Sequence, residues 1–505
     1  MRKHLVLLGA ISMAAVLFAW GCNGGPSSSF KLGGLSSGSL SILAGDAPLC
    51  DVTGFTVTVT GATLTPSSGG TPVVVVSSSN PVTLNFASLM DFETALSLLD
   101  VPTGSYSRLD LTLSNPQITT LDTTQSPPKP TTVQASLPSL SLSIPINPAL
   151  TVTQNAASSV QMELNLLQSI QTDSSGNVTG SVSPVLTAAV ASSTASSFGE
   201  LQDLKGIVQS VSTTSSNPSF AGSFTLLLPT GVTAKINVSA NPPTQFVPST
   251  AFPSVSSGLA GLVPGSTFVE VDASVDLNNN VVASNVAIEA QENAAQNIAA
   301  FTGLVTSVTR NTSGNTTAFT LLVRSEAPDL STVIPVEQNV TVSLNSGTAF
   351  SVSDPLVNQG NLQFTPATLG VGEEVAVHGT AQAGSPPSVA ASSVWLSLQS
   401  VVGSFSTSPV PNDQGTVASF SLAPCSTLYG SGNLTAVTFN TPNLVTAFPG
   451  VNGNSLSGLT TSGTLVVKGE VFFEPTVTTA TVSTGGALGL APGTVIEADQ
   501  VHQLP

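Results

Sequence analysis

Two histidines are the most obvious reactive side chains beyond the N-terminal segment, His378 and His502. A zinc site usually takes several His or Cys ligands at set spacings, and neither histidine is clustered with others. His378 lies on a predicted strand, where a role as general base is one interpretation. A solvent-facing side chain is the simpler one, and it is the one we adopt.

A second pattern typical of catalysis is Gly-x-Ser-x-Gly, which occurs at Gly34-Leu35-Ser36-Ser37-Gly38. In hydrolases this pattern forms a sharp strand-to-helix turn, and a histidine and an acid return to it from elsewhere in the chain. Here it lies in a Gly/Ser-rich stretch ahead of any predicted strand. We therefore attribute the match to chance in a chain rich in both residues.

Acidic residues suggest calcium at one point, where Asp276-Leu277-Asn278-Asn279-Asn280 resembles the first half of an EF-hand loop. That loop needs Gly at its sixth position and Glu at its twelfth, but this sequence has Val281 and Ala287. A hairpin turn between two valine-rich strands fits better. The pair Glu373-Glu374 stands at a strand start, and we expect it to be solvated.

Residues 204–505 repeat one β-pattern three times, with Gly206, Gly303 and Gly403 spaced by 97 and 100 residues. A period of this length indicates tandem domains. Each copy has an early Gly-containing strand, a Thr-x-Phe and a late valine-rich strand. The Thr-x-Phe motifs are Thr244-Gln245-Phe246, Thr348-Ala349-Phe350 and Thr446-Ala447-Phe448. An aromatic ligand platform is one interpretation of them, and a core Phe beside a surface Thr is the simpler one.

The repeats also test catalysis, because a repeated active site should repeat its reactive groups. At one equivalent position of the late strand the copies carry Asp272, His378 and Lys468. Three different polar groups favour a solvent-facing position that only the fold constrains. We therefore predict no catalytic, cofactor-binding or metal-binding residue and no enzymatic activity.

Composition limits the classes of partner. Only 7% of residues are charged, against about 25% in ordinary soluble proteins. Without Arg2 and Lys3, eight basic residues face 27 acidic ones, a net charge of −19. Such a field repels a phosphate backbone, so nucleic-acid binding is not expected. The apolar content of 41% is too high for wholesale disorder.

The N-terminus predicts export, since Arg2 and Lys3 precede an apolar run from Leu5 to Phe18 and then Cys22. The run is shorter than the roughly 20 residues of a membrane span and is typical of a signal peptide. It resembles a bacterial lipoprotein signal, which implies lipidation of Cys22. Ordinary signal-peptidase cleavage at the same bond is the alternative. The Gly/Ser-rich segment after Cys22 is typical of a tether.

Two other cysteines, Cys50 and Cys425, lie in the first and last predicted domains. An oxidising envelope would allow a disulfide between them, but nothing in the sequence brings the two domains together. We therefore expect two free, at least partly buried thiols.

Alternating apolar residues predict about seven strands between residues 39 and 192, and hence a β-sandwich. One helix is expected between Ser88 and Leu99, where Leu89, Phe92, Leu96 and Leu99 recur at helical spacing. The segment 289–300 is interpreted mainly as a junction between copies.

Two family resemblances agree with this division. Leu43-Ala44-Gly45-Asp46-Ala47-Pro48, Thr56–Leu64 and Val101–Tyr106 resemble the bacterial envelope family called domain of unknown function 4382. That resemblance implies a transthyretin- or immunoglobulin-like sandwich. The three copies resemble domain of unknown function 5666, which implies a small, OB-like β-barrel. Neither family has an agreed activity.

The sequence thus predicts an all-β, lipid-anchored cell-envelope protein with a structural or binding role. Its expected partners are the membrane, through the lipid, and an envelope protein or glycan. A glycan- or polymer-binding surface protein is the alternative, and a hydrolase ranks below it. The predicted divisions are a signal peptide (1–22), a tether (23–38), a sandwich (39–192), a linker (193–203) and barrel repeats at 204–295, 296–400 and 401–505.

Overall fold

The computed structural model consists almost entirely of β-strands. It describes residues 37–47, 50–89, 93–174, 177–191, 197–353, 363–405, 409–412, 416–429, 432–440, 445–449, 451–459, 463–475, 478–481, 487–490 and 492–503. The predictions on Cys22 and on most of the Gly34–Gly38 pattern therefore fall outside the described residues. No helix in the part described has both the length and the apolar character needed to cross a membrane.

The N-terminal domain, residues 37–190, is built from twelve strands in the part described, with one short helix, α1 (Leu166–Ser169). The strands are β1 (Ser37–Ala47), β2 (Val52–Pro66), β3 (Val73–Val76), β4 (Val82–Asn85), β5 (Thr94–Pro102), β6 (Gly104–Asp122), β7 (Lys129–Gln134), β8 (Ser141–Val152), β9 (Ala157–Asn165), β10 (Ile170–Thr172), β11 (Val178–Val182) and β12 (Leu186–Val190).

Ten of these strands form one hydrogen-bonded sheet. Eight of them follow the order β3-β2-β6-β8-β12-β9-β1-β5, while β4 pairs with β2 and β7 pairs with β6. The sheet folds over a single apolar core to which both of its halves contribute. Its two ends meet where Ser97 Oγ donates to the Val75 carbonyl at 2.8 Å. The Tyr106 hydroxyl donates to the Pro102 carbonyl at 2.7 Å, a tyrosine corner of the kind found in immunoglobulin-like sandwiches.

The helix predicted between Ser88 and Leu99 is wrong. A single 3₁₀ turn covers Phe86–Ser88, and Thr94–Pro102 is strand β5. This strand pairs antiparallel with β1 along most of its length. Pairing with an available sheet edge overrides a short helical pattern, because local propensity amounts to less than the hydrogen bonds and burial that the edge supplies.

The first barrel, residues 197–291, contains six strands and helix α2 (Val255–Gly261). Its strands are β13 (Ser197–Ser212), β14 (Phe220–Leu227), β15 (Thr233–Ser239), β16 (Gln245–Val247), β17 (Thr267–Asp276) and β18 (Val281–Gln291). Strand β13 begins inside the segment predicted as a linker. The expected turn at Asp276–Asn280 is confirmed, since it joins β17 to β18, which pair antiparallel.

The second barrel uses β19 (Ile298–Arg310), β20 (Thr316–Ala327), β21 (Asn339–Ser343), β22 (Ala349–Val352), β23 (Glu374–Gln382) and β24 (Ser388–Leu396). The third uses β25 (Gln399–Phe405), β26 (Val410–Pro411), β27 (Val417–Pro424), β28 (Leu434–Phe439), β29 (Thr464–Glu474) and β32 (Gly493–Gln503), beside a separate pair, β30 (Thr478–Thr481) and β31 (Ala487–Leu490).

All three barrels close in the same way. Five strands of each barrel form a ring, and the short strands β16, β22 and β26 lie outside it. Counted along the chain within the ring, the first strand pairs with the second and fourth, and the fifth strand pairs with the third and fourth. The pairing of third and fifth strands is parallel in every copy. This is a small closed β-barrel of the OB type, so the third copy shares the fold of the other two despite its weak opening motif.

The repeated glycines mark a close approach between strands. A Cβ on Gly206, Gly303 or Gly403 would overlap a backbone carbonyl of the neighbouring second strand, that of Leu227, Leu322 and Ala423 respectively. Only glycine lets the two backbones approach this closely. The early glycine is therefore a packing requirement of the barrel.

The threonine hydroxyl of each Thr-x-Phe motif hydrogen-bonds to the end of the third ring strand and to the fifth. Thr244 Oγ1 accepts from the Ser239 amide at 2.8 Å and donates to the Ala283 carbonyl at 2.7 Å. Thr446 makes the same pair of bonds with Phe439 and Ala498, and Thr348 a similar pair with Asn345 and Ala391. Thr244 and Thr446 are buried, so the expectation of a surface threonine is wrong at these two positions. Phe246 is buried as expected.

Apolar contacts continue from domain to domain. Ile207 and Phe268 of the first barrel form a buried cluster with Ala300 and Ala327 of the second. The core of the second barrel extends to Phe472 and neighbouring residues of the third. Leu43 of the N-terminal domain belongs to the core of the first barrel. The four domains are therefore packed against one another.

Candidate functional site

His378 is buried between two carboxylates at the boundary of the first and second barrels. It lies on β23 and is 1% exposed. Its Nε2 is 2.6 Å from Glu289 Oε2, and its Nδ1 is 2.6 Å from Glu292 Oε1. The Phe268 ring meets the imidazole edge-on, with ring centroids 5.3 Å apart. The prediction of a solvent-facing His378 is wrong.

The charge of His378 is set by this environment. Burial disfavours the imidazolium, but the hydrogen bonds and charges of Glu289 and Glu292 outweigh burial and raise the pKa of His378 to about 9. Both ring nitrogens are engaged, and the two carboxylates are themselves buried. A general base must reach the proton of a substrate. This imidazole has no such access, so the cluster is an ionic contact between domains.

The residues equivalent to His378 in the other two barrels, Asp272 and Lys468, are in different surroundings. Asp272 accepts from the Asp203 amide at 3.1 Å and from Asn285 Nδ2 at 3.3 Å, and burial raises its pKa to about 6. Lys468 is 5% exposed, and its charge acts on Glu93 of the N-terminal domain. Burial raises the pKa of Glu93 to about 7, even though the Lys468 charge opposes that shift. The three residues differ because each meets different neighbours.

A second buried charge cluster surrounds Lys205 on β13. Its ammonium contacts the Asp203 carboxylate and lies 3.4 Å from Glu270 Oε2. Ser397, beyond the end of β24, places its hydroxyl 3.5 Å from the same Glu270 oxygen. Burial disfavours the ammonium, but Asp203, Glu270 and Glu374 outweigh it and hold the pKa of Lys205 above its usual range. The cluster joins the first barrel to the second.

A cavity of about 80 Å³ lies where the N-terminal domain meets the second and third barrels. On one side Arg324 Nη1 donates to Glu374 Oε2 at 2.9 Å. Gln399 Nε2 donates to the Gly372 carbonyl at 2.8 Å and to the Tyr429 hydroxyl at 3.1 Å. The expectation that Glu373-Glu374 is solvated is wrong, since Glu373 is fully buried and Glu374 is ion-paired.

The lining of this cavity includes a disulfide between Cys50 and Cys425, whose Cα atoms are 5.5 Å apart. The prediction of two free thiols is therefore wrong. Beside the bridge, Asp51 Oδ1 accepts from the Thr427 amide at 2.8 Å, the Thr427 hydroxyl at 3.0 Å and the Ser426 hydroxyl at 3.2 Å. The bridge and these bonds connect the first domain to the last.

The remaining candidates do not join a site. The Asp276 carboxylate, at the start of the sequence that resembles half of an EF-hand loop, accepts from the amides of Asn278 and Asn280 at 2.8 and 2.7 Å and so stabilises its own turn. His502 is half-buried on β32, far along the sequence from the His378 cluster. Among the described residues, no group of three or more His, Cys, Asp or Glu side chains is arranged to hold a metal ion.

The sequence analysis did not identify Glu289, Glu292, Lys205 and Arg324 as charged residues of these contacts between domains. One signal was available, because a chain with 7% charged residues places several of them inside apolar strands. Lys205 stands between Leu204 and Gly206, and Glu270 stands between two valines. A charge at such a position is buried with a partner or lines an interface.

Comparison with known proteins identifies only the first domain. Residues 37–180 match the family described as "Domain of unknown function (DUF4382)". No curated protein matches the chain. A solved structure titled "drosophila Unr CSD456" covers 60% of this chain and 97% of that chain at 8% identity, with a TM-score of 0.13. A TM-score this low supports no argument about fold or function.

Proposed function

We propose that this chain is an exported bacterial envelope lipoprotein, anchored through Cys22, that acts as a non-catalytic structural or binding protein. The observation that carries the proposal is the Cys50–Cys425 disulfide, which joins domains 375 residues apart in sequence. Stable disulfides form in oxidising compartments and are rare in the cytosol. This supports the export that the N-terminal segment predicts.

The non-catalytic role rests on how the reactive side chains are used. Both ring nitrogens of His378 are engaged by Glu289 and Glu292 at a domain boundary, and Lys205 contacts two carboxylates. An active site needs a nucleophile, a base and space for a reacting atom. Here the buried charges hold domains together instead, which suits a rigid protein that works through its surface.

The finer family assignment belongs to the same proposal. We assign the three barrels to the family called domain of unknown function 5666. The support is the shared strand order, the early glycine and the Thr-x-Phe hydrogen bonds that recur in each barrel.

Fractionation of cells that carry the Cys22→Ser substitution tests anchoring and export together. The wild-type protein should sediment with membranes and carry a diacylglycerol mass addition, whereas Cys22→Ser should be released into the soluble envelope fraction. Cys50→Ser is the matched control, because it should stay membrane-bound while losing the disulfide. Membrane retention of Cys22→Ser, or a wild-type protein without the lipid mass, would show the anchor to be wrong.

A thiol-trapping experiment tests the compartment separately. Cells are treated with an alkylating reagent at harvest, so that any free thiol is labelled before lysis. Cys50 and Cys425 should resist labelling in the exported chain and become labelled when residues 1–21 are deleted. Equal labelling of both forms would contradict export.

The non-catalytic role is tested by incubating purified protein with ester, glycoside, peptide and phosphoester substrates. No turnover above buffer is expected. A reproducible rate that disappears in a folded His378→Gln variant would overturn this part of the proposal.

A further inference from the structure

The turn before β21 carries a glutamate in a backbone conformation that glutamate rarely adopts. Glu337 has a φ of 57°. Its amide donates to the Val323 carbonyl at 2.6 Å, and the Val323 amide donates to the Gln338 carbonyl at 3.0 Å, so the turn is held against β20. The other seven non-glycine residues with positive φ in the described part are all Asn or Asp, which tolerate this conformation better. A glutamate persists there only where its surroundings fix it.

The side chain of Glu337 contacts the N-terminal domain and is 8% exposed. Asn85 Nδ2, at the end of β4, donates to Glu337 Oε1 at 3.0 Å, and Asn85 Oδ1 accepts from the Phe55 amide at 3.0 Å. A Cβ on Gly54 would lie 2.7–2.8 Å from three atoms of the Glu337 carboxyl group. The carboxyl group therefore occupies space beside β2 that only a glycine leaves open.

The charge of this carboxyl group is opposed by its surroundings. Burial raises the pKa of Glu337 to about 7, although the Arg324 charge and the Thr119 hydroxyl act in the opposite direction. Arg324 is itself ion-paired with Glu374 at 2.9 Å, and Thr119 on β6 shares a hydrogen bond of 2.8 Å with Thr132. Neither group is therefore fully available to a negative charge on Glu337.

Protonation thus decides how well the side chain fits against the N-terminal domain. A neutral carboxyl group accepts from Asn85 and places no charge beside Gly54. A carboxylate at the same place is desolvated, and a buried charge that lacks a close countercharge costs free energy. Movement of the Glu337 side chain into water removes that cost.

We propose that the contact of Glu337 with Gly54 and Asn85 is a pH-sensitive switch between the second barrel and the N-terminal domain, maintained while Glu337 is protonated and opened when it ionises. The folded-state pKa of about 7 is above the value of about 4.3 for an unfolded chain. The stabilisation is therefore complete below about pH 4.3 and is lost as pH rises through 7. This inference goes beyond the proposed function, because it depends on neither lipidation nor export.

Amide hydrogen exchange of the full chain, followed by mass spectrometry at pH 5 and pH 8, tests the switch. The readout is the segment 52–56, which contains the Gly54 and Phe55 amides. Glu337→Gln keeps an uncharged oxygen for Asn85 and cannot ionise. Rates are compared between proteins at equal pH, so that the intrinsic pH dependence of exchange cancels. Wild type and Glu337→Gln should be similarly protected at pH 5, whereas at pH 8 wild type should exchange at least about tenfold faster.

Two further variants separate the switch from other effects. Asp100→Asn removes an exposed carboxylate of the same domain and should follow wild type at both pH values. Glu337→Ala lacks the contact altogether and should exchange faster than Glu337→Gln at pH 5 as well as at pH 8. If Glu337→Ala fails to fold, the glutamine and asparagine variants still decide.

Three results would overturn the switch. The first is an equal rate for wild type and Glu337→Gln at pH 8. The second is the same gain of protection in Asp100→Asn as in Glu337→Gln. The third is a loss of protection spread evenly over all four domains, which would indicate global unfolding rather than opening of this contact.

Discussion

His378 Nε2 and Glu289 Oε2 lie 2.6 Å apart although the two residues belong to different barrels and are separated by 89 positions. Both side chains are almost fully buried. Because Glu292 engages the other ring nitrogen, the imidazole is held between two carboxylates. His378 thus forms part of the contact between the first and second barrels.

Replacement of His378 by Ala should strongly destabilise the protein. Loss of the imidazolium leaves Glu289 and Glu292 buried without a countercharge, and breaking a buried pair typically costs about 3–5 kcal/mol. The free energy of unfolding from urea titration is the measurement. Lys235→Ala, an exposed substitution on β15, is the control and should stay within about 0.5 kcal/mol of wild type. Equal behaviour of the two variants would contradict the ionic contact.

Because of this contact, the free energy of unfolding should also decrease as pH rises. The folded-state pKa of His378, about 9, is above the value of about 6.5 for an unfolded chain. The folded state therefore binds the proton more tightly. The stabilisation is complete below pH 6.5 and is lost as pH rises through 9, an effect on the order of 3 kcal/mol.

The measurement is the difference in unfolding free energy between wild type and His378→Gln from pH 6 to pH 10. The subtraction is needed because burial also raises the pKa of Glu93 and Glu337 to about 7 and that of Glu326 to about 8, which lowers stability with pH in both proteins. A difference that stays flat across this range would refute the assignment.

Cys50→Ser should loosen the connection between the N-terminal domain and the third barrel. Loss of a native disulfide typically costs about 2–5 kcal/mol, more for long loops in the chain-entropy account, and this bridge closes 375 residues. Thermal unfolding of oxidised wild type, reduced wild type and Cys50→Ser should give one high and two similar low midpoints. Cys22→Ser, which keeps the bridge, should match oxidised wild type. Two titratable thiols in the untreated protein would show that the bridge is absent.

Thr244→Val should destabilise the first barrel by about 2 kcal/mol. The valine keeps the shape but leaves the Ser239 amide and the Ala283 carbonyl without the threonine hydroxyl, and each unsatisfied buried group costs about 1–3 kcal/mol. Thr244→Ser retains the hydroxyl and should recover most of the loss. Chemical denaturation of the two variants decides the matter, and an equal cost for both would assign the effect to packing alone.

Gly303→Ala should destabilise the second barrel by at least about 1–3 kcal/mol, the usual range for overpacking. The new Cβ would overlap the Leu322 carbonyl, which is backbone and cannot rotate away. Gly432→Ala is the control, since a Cβ there meets no atom within 4 Å. The midpoint of urea unfolding measures both, and a neutral Gly303→Ala would contradict the close strand approach.

The sequence by itself determined the all-β class and the repeated barrel framework. The period of the glycines and the Thr-x-Phe motifs could be recognised because their causes are local. Gly303 must let one adjacent strand approach, and Thr446 bonds strands of its own barrel. Such requirements recur in every copy of a fold and leave a repeated pattern. The segment from Ser88 to Leu99 shows the limit, because pairing with β1 overrode its helical spacing.

Only the tertiary structure decided what the charged and sulfur-containing residues do. Asp272, His378 and Lys468 occupy one position in the repeat, but their partners come from different surroundings. Cys50 meets Cys425 because four domains pack together. These contacts depend on how whole domains are placed, and a single sequence carries no periodic signal for that placement. A charge that is desolvated at a domain boundary needs a partner. No local sequence pattern identifies which residue that partner is.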